Sequence, residues 1–390
     1  MSTPTAVRPR FLSGEKVFCL RCSQAYSVEQ IKAADSPDDE GKPWIDVRGP
    51  APSTPTRPRR GFLRAAKVTP ADREAAQAAR KRARERLVEG LRPYCPEKHL
   101  IVDIDLPKRI IGVFGFSGAG KSCYLAGAMT EMLDDGTLAD FDCDVSAVVD
   151  MPLQAEMDKR IEAIYEKGTI PPPNDKATVF GPLVYRLTNT LTGEEELLLL
   201  FDLAGEDCTS VQRIATWAPF LADADGIVVM VNPEDLAAAE GGRRRRGANV
   251  RKVVDTLSEL VRGLNDISVE PNEPMIVMTL GRGDTLNLGD GDNWPPKAFA
   301  GVGSDGDDVK RPSAELALSE ASSAARKVWE QCGGSTLMRA AESKFRNNVR
   351  YAVVSALGTQ PDEDNKKVVD ATPLGCTVPF AHILHHVNVL

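Results

Sequence analysis

No stretch of about 18 consecutive apolar residues occurs in the 390-residue chain, so nothing in it has the length that a membrane-crossing helix needs. The opening MSTPTAVRPR lacks the apolar core of a secretory leader. Both absences set the expectation of a soluble, cytoplasmic protein. Cysteine is sparse as well. Eight in a chain of this length are too few for a disulfide framework, and five of them are scattered after residue 110 as ordinary core residues would be. Hydrophobic residues make up 42% and charged ones 27%. That is enough for a large core, and the length suggests two or three domains.

The net charge of −8 is unevenly spread. Residues 1–110 carry 22 Lys+Arg against 14 Asp+Glu, whereas residues 111–390 carry 26 against 42. A basic front part joined to an acidic remainder reads as two pieces with different partners.

The front part opens with a lone C-x-x-C, Cys19 and Cys22, with no second such pair nearby. Residues 33–69, rich in Pro, Ser, Asp and Arg, read as a flexible loop. Thr69-Pro70 then opens ADREAAQAARKRARERLVEGL, a charged helix with little apolar face. Cys95 and His99 follow. Cys19, Cys22, Cys95 and His99 together offer a Cys₃His tetrahedral zinc set, its halves separated by the loop and helix. The alternative is four unrelated side chains. The expected layout is therefore 1–32 and 93–108 as two halves of a zinc-ribbon-like module, 33–92 as loop and charged helix, and 109–390 as one large domain.

The strongest signal is RIIGVFGFSGAGKSCYL, residues 109–125. An apolar strand leads into G-x-x-x-x-G-K-S, and an alanine-rich helix follows, the context that a phosphate-binding P-loop requires. Gly115, Phe116, Ser117, Gly118, Ala119, Gly120, Lys121, Ser122 and Cys123 would surround the phosphates of a nucleoside triphosphate. Backbone N–H groups turn inward there, and the helix adds its positive end. Lys121 would reach the β- and γ-phosphates, and the Ser122 hydroxyl would ligate Mg²⁺.

Beyond the P-loop, strands and helices alternate, which gives an α/β fold: a three-layer sandwich around a mainly parallel sheet. Expected strands are 147–151, 183–187, 197–202, 226–231, 275–280 and 351–355. Four segments stand at or beside strand ends, where such folds bind ligands. Asp202-Leu-Ala-Gly205 ends an apolar strand, its Asp placed for the Mg²⁺ shell and its Gly N–H for a γ-phosphate. Thr178 lies 24 residues earlier and could ligate Mg²⁺ while triphosphate is bound. Gly281-Arg282-Gly283-Asp284 and Ser355-Ala356-Leu357 follow two further strands.

In this order the motifs resemble Ras-like GTPases of the translation-factor-related class, over roughly residues 110–390. The C-x-x-C front part, the phrase FDLAGED and the ending P-F-x-x-x-L are similar, more narrowly, to bacterial double-GTPases of conflict systems. The resemblance implies GTP and GDP as ligands. Asp284 would read guanine N1–H and the 2-amino group, Ala356 N–H would meet O6, and Arg282 would cover the purine face. Gly281 stands where such GTPases usually have Asn or Thr, so one side-chain tie is missing. Glu206 occupies the place of a water-orienting Gln, and Lys176 is a candidate charge supplied in cis. The expected function is a slow GTPase switch acting on a protein partner. Two other readings stay open: a nucleotide-gated scaffold with little turnover, and a P-loop ATPase on nucleic acid, which the run Arg243–Arg246 could contact.

Overall fold

The computed structural model describes residues 16–19, 24–34, 36–38, 42–43, 92–101, 106–115, 118–148, 152–170, 182–204, 210, 212, 219–240, 248–267, 274–286, 313–346, 348–362 and 367–390. Two compact units divide the chain between residues 107 and 108, each with its own core.

In the first unit, β1 (Lys16–Cys19) and β2 (Gln24–Ser27) form an antiparallel hairpin in which Val17 opposes Tyr26. A second antiparallel sheet has β3 (Lys32–Ala34) between β4 (Lys42–Pro43) and β5 (Arg92–Tyr94). The start of the expected loop is thus drawn into strand pairing, Ala33 lying opposite both Lys42 and Pro93. Among the described residues its core is Val17, Cys19, Ile31, Ala33, Cys95 and Ile101, with Tyr26 against it.

The second unit is an α/β sandwich around a seven-stranded sheet of order β12-β11-β10-β6-β9-β8-β7. Its strands are β6 (Lys108–Gly115), β7 (Cys143–Ala147), β8 (Leu183–Asn189), β9 (Glu195–Ala204), β10 (Gly226–Val231), β11 (Met275–Leu280) and β12 (Val349–Val353). β12, β11, β10, β6 and β9 run parallel; β8 and β7 add an antiparallel edge. The central strands are buried throughout, as apolar strands covered on both faces must be. β7 lies at Cys143–Ala147, four residues before the run 147–151 that the sequence suggests. Its place follows from register, Cys143 opposite Asn189 and Ala147 opposite Tyr185, and a helix beginning at Pro152 takes up the chain soon after.

Described helices are α1 (Lys121–Leu133), α2 (Pro152–Ile161), α3 (Pro233–Glu240), α4 (Ala248–Ile267), α5 (Ala314–Gln331), α6 (Ser335–Phe345) and α7 (Val378–His386). Side chains of α1, α5 and α7 meet Ile111, Val113, Leu198, Leu200, Val228 and Val277 in one large core. On the opposite side Gly112 faces Leu221 and Leu203, and α4 packs against α6 and against the segment 219–223. Glu131 ties α1 to the segment that opens α7. Its buried carboxylate accepts the N–H groups of Cys376 and Thr377 at 3.0 and 2.7 Å, just before α7, where the helix dipole favours an acceptor. Burial nevertheless holds that carboxyl above its ordinary value. Among the described residues no helix is long and apolar enough to cross a membrane.

Candidate functional site

The site lies along the carboxyl ends of the parallel strands, where sheets of this kind place their ligands. β6 ends at Gly115, which packs on β10: a Cβ there would stand 2.9 Å from Met230 Cβ. Gly118 and Gly120 hold φ of 86° and 81°, conformations that glycine adopts without steric cost. Such turns let successive N–H groups converge on an anion. Gly120 caps α1 and its carbonyl accepts Tyr124 N–H at 2.9 Å.

Lys121 and Ser122 open α1 and are half-buried. Lys121 Nζ lies 2.7 Å from Asp202 Oδ1 and donates to the Leu203 carbonyl, so the P-loop lysine and the D-x-x-G acid meet. Cys123, next along α1, has its thiol pushed above the ordinary value by burial, with Arg160 pulling the other way.

Beyond β11, the segment 281–284 turns back on the P-loop. Gly281 N–H donates to Val231 O at 3.0 Å and Gly283 N–H to Val354 O at 2.8 Å. Arg282 has φ 55°, and its guanidinium lies 3.4 Å from Glu234 Oε1 on α3. Its Cγ is 3.7 Å from where a Cβ on Gly120 would be. The Ser355 hydroxyl donates to Asp284 Oδ1 at 2.7 Å and accepts Gly358 N–H at 3.0 Å. Ala356 and Leu357 are buried beside them. One connected set of contacts thus runs from Asp202 through Lys121, the P-loop and residues 281–284 to Ser355.

Residues 109–300 match the family model described as Double-GTPase 2. That part of the chain is a P-loop GTPase fold that matches the double-GTPase family model. Among solved structures, Sup35 complexed with GDP aligns over 67% of this chain and 40% of its own, at 15% identity and TM-score 0.25. Sup35 complexed with GMPPNP gives the same coverage at 12% identity and TM-score 0.24. The signal recognition particle receptor SRb-GTP/SRX complex from Chaetomium thermophilum aligns over 65% of this chain and 93% of its own, at 14% identity and TM-score 0.28. The chain spans about 40% of the length of the Sup35 chains, and likenesses this loose carry no argument. No curated protein matches the chain.

In this GTPase domain one contact had no signal in the sequence. The π-helical turn Glu162–Glu166 follows α2, and its Tyr165 hydroxyl donates to Ala356 O at 2.6 Å. Just after the turn, Val368 N–H donates to Gly168 O at 2.8 Å. π-turns inside helices recur at functional sites, but nothing in a single sequence marks one. Glu234 was also missed, although the Asn232-Pro233 step before it signals a helix start; Asn232 Oδ1 accepts Glu234 N–H at 3.1 Å.

Phe116, Ser117, Lys176, Thr178, Gly205, Glu206 and the Arg243–Arg246 run lie outside the described residues, as does Cys22 in the first unit. There, one ligand atom each from Cys19, Cys95 and His99 lies within 4.8 Å of the others. Cys19 ends β1 and Cys95 follows β5, both thiols buried and unoxidised. The run 95–99 is a tight knuckle. Cys95 N–H donates to His99 O at 2.9 Å and His99 N–H to Cys95 Sγ at 3.4 Å, with Lys98 at φ 63°.

Proposed function

We propose that the chain is a GTP-binding and GTP-hydrolysing switch that regulates a protein partner. The connected set of contacts from Asp202 to Ser355 carries this reading. It brings Lys121, Asp202 and Asp284 to one edge of one sheet, the arrangement that a phosphate-side cation, a magnesium-side carboxylate and a base-side carboxylate would need.

In this reading Lys121 and the backbone N–H groups of 118–123 bind the phosphates, and Asp284 and Ala356 read guanine. Arg282 lies along the purine. The hydroxyl of Ser122 and the carboxylate of Asp202 are hard oxygen donors that suit Mg²⁺, with Thr178 as a third. The metal would supply charge neutralisation on the β- and γ-phosphates. The bond from the γ-phosphorus to the β–γ bridging oxygen breaks while water oxygen bonds to that phosphorus, giving GDP and inorganic phosphate. Glu206 orients the water and accepts its hydrogen bond; Gly205 N–H and Lys121 hold the charge that develops on the γ-oxygens.

The Cys/His cluster is part of the same proposal. Two buried thiols and an imidazole converge where a backbone N–H already supports one sulfur, a donor set that fits zinc. Cys22 would be the fourth ligand. A structural metal there would add folding free energy. The resulting zinc-ribbon-like module, residues 1–32 with 93–108, would dock the switch on its partner. In the double-GTPase setting that partner belongs to a bacterial conflict system in the cytoplasm.

Competition binding tests the reading. Unlabelled GTP and GDP are expected to displace a labelled guanine nucleotide from the full chain at concentrations where ATP does not. Equal displacement by ATP would defeat it.

A further inference from the structure

Gly281 follows β11 directly and meets the P-loop main chain to main chain. A Cβ on Gly281 would stand 2.5 Å from the carbonyl oxygen of Ala119 and 3.0 Å from Met230 Cε. The Ala119 oxygen is backbone in a buried residue and cannot swing aside as a side-chain end would. Gly281 is not among the glycines with positive φ, so what the position demands is space and not dihedral freedom. Gly118 is the reverse case: φ is 86°, and a Cβ would meet nothing within 4 Å.

From Gly281 the chain is fixed stepwise. Its N–H is held by Val231, Gly283 N–H by Val354, and Asp284 by the Ser355 hydroxyl at 2.7 Å. Met230, beneath Gly281, also packs against Gly115 at the end of β6. The carboxylate of Asp284 therefore takes its distance from the P-loop through the Gly281–Ala119 contact.

We infer, resting on the nucleotide-site reading above, that Gly281 is the positioning residue that sets the spacing between base and phosphates. Any side chain at 281 lifts the 281–284 loop off the P-loop. Base recognition weakens, and the phosphate grip of Lys121 and the P-loop stays.

Calorimetry on the full chain with GDP, ADP and inorganic tripolyphosphate tests this. A parent protein that binds no GDP would defeat the nucleotide-site reading itself, before any variant is made. Given GDP binding by the parent, Gly281→Ala and Gly281→Asn are expected to lower GDP affinity about tenfold or more. The guanine-over-adenine ratio falls with it, and tripolyphosphate affinity stays within about twofold. Unchanged GDP affinity and ratio in Gly281→Ala would overturn the inference. So would a parallel loss of GDP and tripolyphosphate, since the glycine would then serve only to keep the P-loop intact. Should the variants not fold, hydrogen exchange on the parent decides. Tripolyphosphate alone is expected to slow exchange at the amides of residues 283–286 through the Ala119 contact, and unchanged exchange there would overturn the inference.

Discussion

The hydroxyl of Ser355 holds Asp284: it donates to Oδ1 at 2.7 Å and is itself fixed by Gly358 N–H at 3.0 Å. The two residues are 71 positions apart and follow adjacent parallel strands, β11 and β12, so the sheet brings them together. Asp284→Asn exchanges an acceptor for a donor, and preference is expected to move from GTP toward XTP in competition binding. Ser355→Ala leaves the carboxylate less well held, at a cost of about 1 kcal/mol, or roughly fivefold in GTP affinity. GTP affinity unchanged in both variants would mean that this pair does not read the base.

The hydroxyl of Tyr165 is tied to the carbonyl of Ala356 at 2.6 Å, and burial holds it well above the ordinary phenol value. It therefore acts as a neutral donor. Tyr165→Phe keeps the ring and removes the bond. The expected result is a loss of about 1 kcal/mol in stability, together with weaker guanine binding than that loss alone explains. A variant with lower stability and unaltered nucleotide affinity would confine Tyr165 to packing.

Elemental analysis of the purified chain should find about one zinc, on the expectation of a structural site with a single ion. Cys95→Ser should lose it. A chelator should then loosen the first unit while GTP binding persists. A metal-free chain with an intact first unit would leave the Cys/His cluster as core packing.

Acid should weaken the second unit through α7. His382 is 3% exposed, and burial, helped by Arg350 and His385, pulls its value from 6.5 down to about 3. The folded state thus keeps this imidazole neutral where the unfolded chain protonates it. Stability from this group is complete above pH 6.5 and is lost as pH falls from there toward 3. In His382→Phe the decline between about pH 6.5 and 5 should flatten relative to the parent. Parallel curves for the two proteins in denaturant titrations over that range would refute this.

The P-loop was legible because every residue that defines it lies within a dozen positions. Apolar β6, two glycines with positive φ and the helix opening at Lys121 all obey local rules. Asp202, Asp284 and Ser355 were legible because each follows or ends an apolar strand, and parallel strands put such ends on one edge. β7 was misplaced because it is an edge strand whose Asp144, Ser146 and Ala147 are exposed, so its position comes from pairing with β8 and not from apolar content. Gly281 read as a lost side-chain tie; the structure shows a backbone contact in its place, which no spacing rule reveals. Tyr165 reaches a partner 191 residues away from a π-turn, and neither leaves a trace in the sequence. Donor chemistry alone suggested that Cys19 and Cys95 belong together.

Single-turnover phosphate release tests the central claim most directly. Full-length protein mixed with a slight deficit of GTP and with Mg²⁺ should release inorganic phosphate on the order of 10⁻³ per second, the pace of an unassisted GTPase. Lys121→Ala, which loses the cation that meets Asp202 at 2.7 Å, should abolish both nucleotide binding and release while keeping its circular dichroism. Release no faster than from GTP in buffer, or equal release by the parent and Lys121→Ala, would contradict the account.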